Sequence, residues 1–317
     1  MSYKYLFGPV PSRRLGLSLG VDLLPAKTCT ENCVYCECGK TTRLTRKRRE
    51  WVPTGAVCAE IERRLKEPPA PEWLTFAGSG EPTLHRDMGR ILSRAKAAAP
   101  GLRMALLTNG SLMDDPEVRE ECRGFDLVAV SVDAAGKEAF RRVNRPHPGL
   151  DLARMLHGIE EFRRVFKGVL WAEVFLVPGE NDSEEELFRI REALSRIRPD
   201  EVQINTLDRP GTETWVTRPT AETLARAAEI LGARIIGRAR GRSEGAGPVA
   251  DPEGLVLAAA RRRPLTAGDA ARMLGISGEE AECLFAGLLA RGLVTAGESP
   301  RGRFFRPAGE SPEDGGA

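Results

Sequence analysis

Short apolar runs alternate with amphipathic stretches along most of this chain. Residues 15–24, LGLSLGVDLL, alternate as a strand that Pro25 ends. After Pro53 and Thr54, the side chains Val57, Ile61 and Leu65 recur at the spacing of a helical stripe, which Pro68, Pro69 and Pro71 close. The pair then repeats. Strands are predicted over 73–77, 103–108, 125–132, 170–177 and 201–206. Helices are predicted over 86–99, 114–122 and 151–166, then after a Ser183/Glu186 capping box with Leu187, Ile190, Leu194 and Ile197 inward, and finally over 220–231. Strands separated by helices predict an α/β fold with a parallel sheet, because parallel neighbours need crossover connections. An open sheet and a barrel both satisfy the pattern.

The period changes near the C-terminus. Residues 237–252 are rich in glycine and arginine and read as a linker after a first domain of residues 1–236. Three short helices at 253–262, 266–274 and 278–291, then a strand pair within 293–306, resemble a winged helix-turn-helix over 253–307, with Thr266 and Ser277 as helix starts and Val256, Leu284, Leu288 and Phe305 as its core. Its third helix opens with Glu279, Glu280 and Glu282, and carboxylates aimed at phosphates are repelled, so no DNA binding is expected. Docking on the core or on a partner is preferred, with Arg301, Arg303 and Arg306 of the wing able to touch RNA. Residues 308–317 are expected to be disordered.

The 317 residues are 41% hydrophobic and 29% charged, an ordinary globular composition. No apolar run approaches the length of a membrane span and the first residues lack a signal-peptide core, so a cytoplasmic location without membrane association is expected. A formal charge of +2 makes no general case for nucleic acid. The basic run Arg43, Arg46, Lys47, Arg48 and Arg49 suits a phosphate-bearing substrate or, more simply, a solvated edge.

Candidate chemistry concentrates in residues 28–41, TCTENCVYCECGKT. Cys29, Cys33 and Cys36 fall in a C-x3-C-x2-C spacing that can turn three thiolates toward one point, which suits an iron–sulfur cluster. A fully protein-ligated [4Fe–4S] cluster takes four thiolates, so three would leave one iron open. Structural zinc would need a fourth ligand, and none of His85, His147 and His157 is near in sequence. Seven cysteines, an odd number, argue against a disulfide framework; Cys38, Cys58, Cys122 and Cys283 are scattered, so a second cluster is not expected.

This spacing, with Tyr35 immediately before the last cysteine, resembles the signature of the radical S-adenosylmethionine superfamily. The resemblance implies a partial (β/α)6 barrel and a [4Fe–4S] cluster whose open iron chelates S-adenosylmethionine. An electron from the cluster would then release a 5'-deoxyadenosyl radical that takes hydrogen from a substrate. Gly78, Ser79, Gly80 and Glu81 resemble the family's GGEP motif, with Ser79 as a departure; Asn109, Ser131 and Asp133 stand at strand ends that in the family contact the ribose and the methionyl carboxylate, where a capping or Asx-turn role is equally open, and the Asn205 amide suits adenine or the substrate. Residues 177–181 look like its adenine loop. Catalytic candidates near the rim are Arg13, Arg14, Lys40 and Arg145. The runs FGPVPSRRLG and NTLDRP look most like the branch of wyosine-type transfer-RNA modification enzymes, so an RNA nucleoside is the leading substrate, ahead of a small metabolite or peptide. A flavodoxin- or ferredoxin-like electron donor is implied. The rival reading is an iron–sulfur sensor whose C-terminal unit binds nucleic acid or a protein without turnover.

Overall fold

The structure, a computed structural model, describes residues 3–68, 70–236, 251–299 and 302–309. Pro69, Arg301, residues 237–250 of the expected linker and the expected tail beyond 309 lie outside the described residues. Eight strands form one sheet in the order β1-β2-β5-β6-β7-β8-β9-β10. Its parallel body is β2 (Gly16–Val21), β5 (Trp73–Phe76), β6 (Arg103–Thr108), β7 (Leu127–Ser131), β8 (Val169–Phe175) and β9 (Glu201–Asn205), extended by the short β10 (Arg234–Ile235). These are the six predicted strands and one more. The remaining strand, β1 (Leu6–Ser12), runs antiparallel to β2 at the edge. It was not predicted, because Pro9 and Pro11 argue against a strand; both are tolerated where one side of the strand has no sheet partner.

The two faces of the sheet differ, and the difference is written in alternate residues. Leu19, Val21, Leu74, Phe76, Met104, Leu106, Val128 and Val130 point to the main core. There they meet the crossover helices α1 (Thr54–Arg64), α2 (Met88–Ala98), α3 (Pro116–Cys122), α4 (Lys137–Val143), α5 (Leu152–Val165), α6 (Glu184–Ile197) and α7 (Ala221–Leu231). The intervening positions carry smaller or polar groups. Ala105, Leu127 and Ala129 form a separate small cluster with Leu15 and Trp73, and the hydroxyls of Ser18 and Thr75 bond each other at 2.7 Å. Arg14 reaches onto this second face and pairs with Glu173. One helix layer therefore covers one face and leaves the other free to bound a cavity.

Most helix starts follow local chemistry. The Asp151, Ser183 and Thr220 side chains accept backbone N–H bonds at the first turns of α5, α6 and α7. The predicted capping box at Ser183 is only half realised. Glu186 turns away from the cap and accepts instead from the N–H groups of Ala135 and Gly136 at 2.7 and 2.8 Å, tying the start of α6 to the loop after β7.

The C-terminal elements are α8 (Pro252–Ala260), α9 (Ala267–Leu274), α10 (Gly278–Ala290) and a two-stranded sheet of β11 (Val294–Ser299) and β12 (Gly302–Pro307). Thr266/Asp269 and Ser277/Glu280 form complete capping boxes. Their own core holds Val256, Phe285, Leu288 and Phe305, with Phe285 and Phe305 stacked at 3.9 Å, and Val10 of β1 joins it. Among the described residues no helix is long and apolar enough to cross a membrane.

Phe162 of α5 is wholly buried in the main core, while Phe188 of α6 is 44% exposed. Phe162→Ala should lower unfolding free energy by about 3–5 kcal/mol in urea denaturation, and Phe188→Ala by less than about 0.5 kcal/mol. Equal losses would contradict the placement of the helix layer.

Candidate functional site

After β2 the chain leaves the sheet for a long loop that carries the cysteines. Its base is a two-rung ladder of β3 (Thr28–Cys29) with β4 (Arg43–Leu44). Inside the loop the Cys36 N–H donates to the Cys33 carbonyl at 3.2 Å, and the Thr41 N–H donates to the Asn32 side chain at 2.8 Å. Val34 is the anchor. It is fully buried among Val143, Phe175, Val177 and Val216, and its N–H donates to the Val143 carbonyl at 2.9 Å.

Each thiol of the C-x3-C-x2-C set faces an N–H donor. Asn109 Nδ2 donates to Cys29 Sγ at 3.8 Å, Asn144 Nδ2 to Cys33 Sγ at 3.6 Å, and Lys27 Nζ to Cys36 Sγ at 3.2 Å. Two thiols also donate, Cys33 Sγ to Glu31 Oε2 at 3.4 Å and Cys38 Sγ to the Gly78 carbonyl at 3.5 Å. Sulfurs that accept from N–H groups are placed as thiolates are in cluster sites, where such bonds set ligand basicity and potential. Hydrogen bonding by Cys38, followed by the Lys27 ammonium, lowers the Cys36 pKa. Burial and then Glu81 and Glu31 push the Cys29 thiol up to about 12, and burial with Glu31 raises Cys33 as well.

Negative charge is crowded here. Glu31 is buried, its pKa raised by burial and then by Asp133, and its Oε1 has no hydrogen-bond partner; Asn144 Oδ1 is likewise buried without one. Asp133 accepts from Tyr35 Oη, from Asn144 Nδ2 at 2.8 Å and from the Phe175 N–H at 2.7 Å, and burial raises its pKa to about 6. Tyr35 stacks on Phe175 at 3.8 Å. Unpartnered buried acceptors among carboxylates suit a cationic ligand rich in N–H donors, and S-adenosylmethionine, with an ammonium and a sulfonium, is one. Three donor-facing thiols suit a [4Fe–4S] cluster that leaves one iron without a protein thiolate. Among the described residues no three His, Cys, Asp or Glu side chains converge as a single-ion site, and a cluster whose ligands bind separate irons does not require one.

The structure brings most of the predicted residues to this loop. Gly80 lies so close that a Cβ would come 1.8 Å from the Thr28 carbonyl oxygen, so only glycine lets the turn pack on the cysteine loop. At Gly78 a Cβ would strike the Asp22 carboxyl group. Ser79 has a local reason: its hydroxyl donates to Asp22 at 2.7 Å. Glu81 is fully engaged on one oxygen, which accepts from Thr83 and Thr108, while its other oxygen accepts from the Asn109 N–H at 2.8 Å and has a lone pair to spare. Ser131 ends β7 beside Glu173 of β8, and Asn205 ends β9, its side chain accepting from the Thr206 N–H. The four catalytic candidates are not gathered together. Arg13 and Arg14 line a cavity, Lys40 is exposed, and Arg145 pairs with Glu213. Sequence reading passed over Lys27, Glu31 and Asn144. Glu31 sits inside the cysteine motif itself, whereas nothing near Asn144 in sequence marks it as a thiol donor.

Residues 23–190 match the profile of the Radical SAM superfamily. The chain is 34% identical over 234 residues to a UPF0026 protein of Methanocaldococcus jannaschii, covering 73% of this chain and 72% of that protein. It is 39% identical over 206 residues to a protein named GTPase Obg of Brachyspira hyodysenteriae, covering 65% of this chain but only 30% of that much longer protein. In fold it is similar to a radical SAM methyltransferase from Sphaerobacter thermophilus, with a TM-score of 0.52 and 18% identity over 72% of this chain and 67% of the other.

Lys27→Met removes the ammonium that favours the Cys36 thiolate. In the metal-free chain, the midpoint of Cys36 alkylation by iodoacetamide, mapped by mass spectrometry, should move to higher pH. An unmoved midpoint would remove Lys27 from the site.

Proposed function

Because the chain belongs to the radical SAM superfamily, we propose that Cys29, Cys33 and Cys36 each ligate one iron of its [4Fe–4S] cluster and that the fourth iron takes S-adenosylmethionine. The observation that carries this assignment is that Cys29, Cys33 and Cys36 each accept a bond from a side-chain N–H group, whereas among the described residues Cys38 accepts none. When bound, the reduced cluster and the sulfonium together supply a carbon radical able to take hydrogen from an unactivated C–H bond. The protein's own residues position and exclude. Lys27, Asn109 and Asn144 fix the sulfurs, Glu31 and Asp133 attract the cationic cofactor, and the Tyr35–Phe175 stack closes one side against water. Glu81 offers its spare lone pair to the cofactor's ammonium group, and Ser131 and Asn205 line the nucleotide from the strand ends.

The sheet with one helix layer acts as a partial barrel. The C-terminal elements act as a winged-helix-like domain that docks on it, after a linker, and the protein works in a reducing, cytoplasmic setting with a flavodoxin- or ferredoxin-like donor. The resemblance to the wyosine-type branch makes an RNA nucleoside the first substrate class to test. A DNA-reading regulator is disfavoured by the Glu279 and Glu280 side chains in the first turn of α10.

Anaerobic reconstitution with iron and sulfide, reduction with dithionite and addition of S-adenosylmethionine should yield 5'-deoxyadenosine, detected by chromatography. Cys33→Ala should abolish both iron loading and this product, and Cys38→Ala should keep full iron content. Full iron in Cys33→Ala, or loss of iron in Cys38→Ala, would reject the ligand assignment. Gly80→Ala should lower iron loading severalfold, because its methyl group cannot coexist with the Thr28 carbonyl; normal loading would show that the turn does not brace the loop.

A further inference from the structure

The second face of the sheet bounds a cavity of about 760 Å³ whose other wall is the C-terminal elements. Ser18 and Thr75 come from the strands, Cys38 and Gly78 close the end beside the cysteine loop, and Arg262, Arg263 and Arg272 come from the C-terminal side. Seven of the lining residues are arginines, and most of their guanidinium groups are satisfied. Arg14 pairs with Glu173; Arg262 donates to Asp22 at 3.2 Å; Arg272 donates to Asp269 at 2.7 Å. Arg209 bridges the two walls, reaching Glu37 at 3.4 Å and Asp269 at 3.0 Å, and Arg218 is engaged as well. The side chains of two lining arginines, Arg13 from the β1–β2 turn and Arg263 after α8, make no hydrogen bond or ion pair among the described residues.

These two are electrostatic neighbours. Burial first, then repulsion by Arg209 and Arg13, lowers the Arg263 pKa, with Glu37 and Asp269 opposing. Neither guanidinium has a carboxylate at ion-pair distance among the described residues, and Glu37 and Asp269 act on Arg263 only from farther away. A carboxylate or a phosphodiester, each with a single charge, would balance one of them. A phosphomonoester, carrying about −1.5 to −2 at pH 7 with three acceptor oxygens, balances both, and guanidinium forks match its geometry.

We propose that the cavity between the sheet and the C-terminal elements is the substrate chamber, and that Arg13 and Arg263 together bind a phosphomonoester group of a small substrate. This rests on the radical SAM reading for the neighbouring loop, but its chemistry is separate. It assigns the C-terminal elements a direct task, supplying half of an anion site, and it favours a mononucleotide or sugar phosphate over an internal RNA nucleotide.

The test uses the full-length chain and equilibrium dialysis with radiolabelled inorganic phosphate, competed by AMP, by acetate and by a transfer-RNA transcript dephosphorylated at its 5' end. Phosphate should bind, AMP should displace it and acetate should compete poorly. Arg13→Ala and Arg263→Ala should each weaken binding about tenfold, the loss expected for one charge-assisted contact. Arg13→Lys and Arg263→Lys, which keep charge and bulk, should retain part of it and separate binding from misfolding. The proposal fails if phosphate does not bind, if binding ignores both arginines, if acetate competes equally, or if the RNA displaces phosphate and AMP does not. Iron and sulfide content of the reconstituted wild type reports on the cluster independently. Phosphate binding with no cluster would sink only the ligand assignment, and a normal cluster without phosphate binding would sink only this chamber.

Discussion

Crowded negative charge at a dry point is the constraint around which the structure is arranged. Glu31, Glu81 and Asp133 are buried near Cys29, Cys33 and Cys36, and burial first, then the carboxylates, raise the pKa values of Cys29 and Cys33. Burying several acids without compensation is unfavourable. The protein answers in part, with Lys27, Asn109, Asn144 and the Thr83 and Thr108 hydroxyls as donors. Among the described residues it leaves Glu31 Oε1 and Asn144 Oδ1 without a partner, two acceptors that suit a positively charged donor. The superfamily's cofactor has that character, which is why fold, family and local electrostatics agree.

The supporting architecture follows from this loop. The Gly78–Glu81 turn packs on β3 because Gly80 has no side chain, and Asp22 holds Ser79 on one side and Arg262 on the other. Asp22 thus links the turn beside the cysteines to the C-terminal elements. Arg209 makes a second link, from Glu37 near the last cysteine of the motif to Asp269 in the first turn of α9. The site and the arginine-lined cavity share these residues, so a change in one wall reaches the other through direct contacts.

Much of the fold was legible because the parallel strands place apolar side chains at alternate positions and the longer helices carry clear stripes, as in α5. The misses have physical causes. Pro9 and Pro11 concealed an edge strand, α4 is too short to show a period, and the acid of the Ser183 capping signal is diverted to Ala135 and Gly136. The three candidate cysteines stood out by their spacing. Their donors did not, since Asn109 and Asn144 reach the sulfurs across roughly 80 and 111 positions of sequence. The pairing state of each arginine in the cavity was also hidden, because it depends on residues from both ends of the chain.

The most direct measurement is Mössbauer spectroscopy of the ⁵⁷Fe-reconstituted protein with and without S-adenosylmethionine. Three-thiolate ligation predicts a [4Fe–4S] spectrum in which one iron separates from the other three when the cofactor is added. Four irons that stay equivalent, or a protein that takes up zinc in place of a cluster, would contradict it.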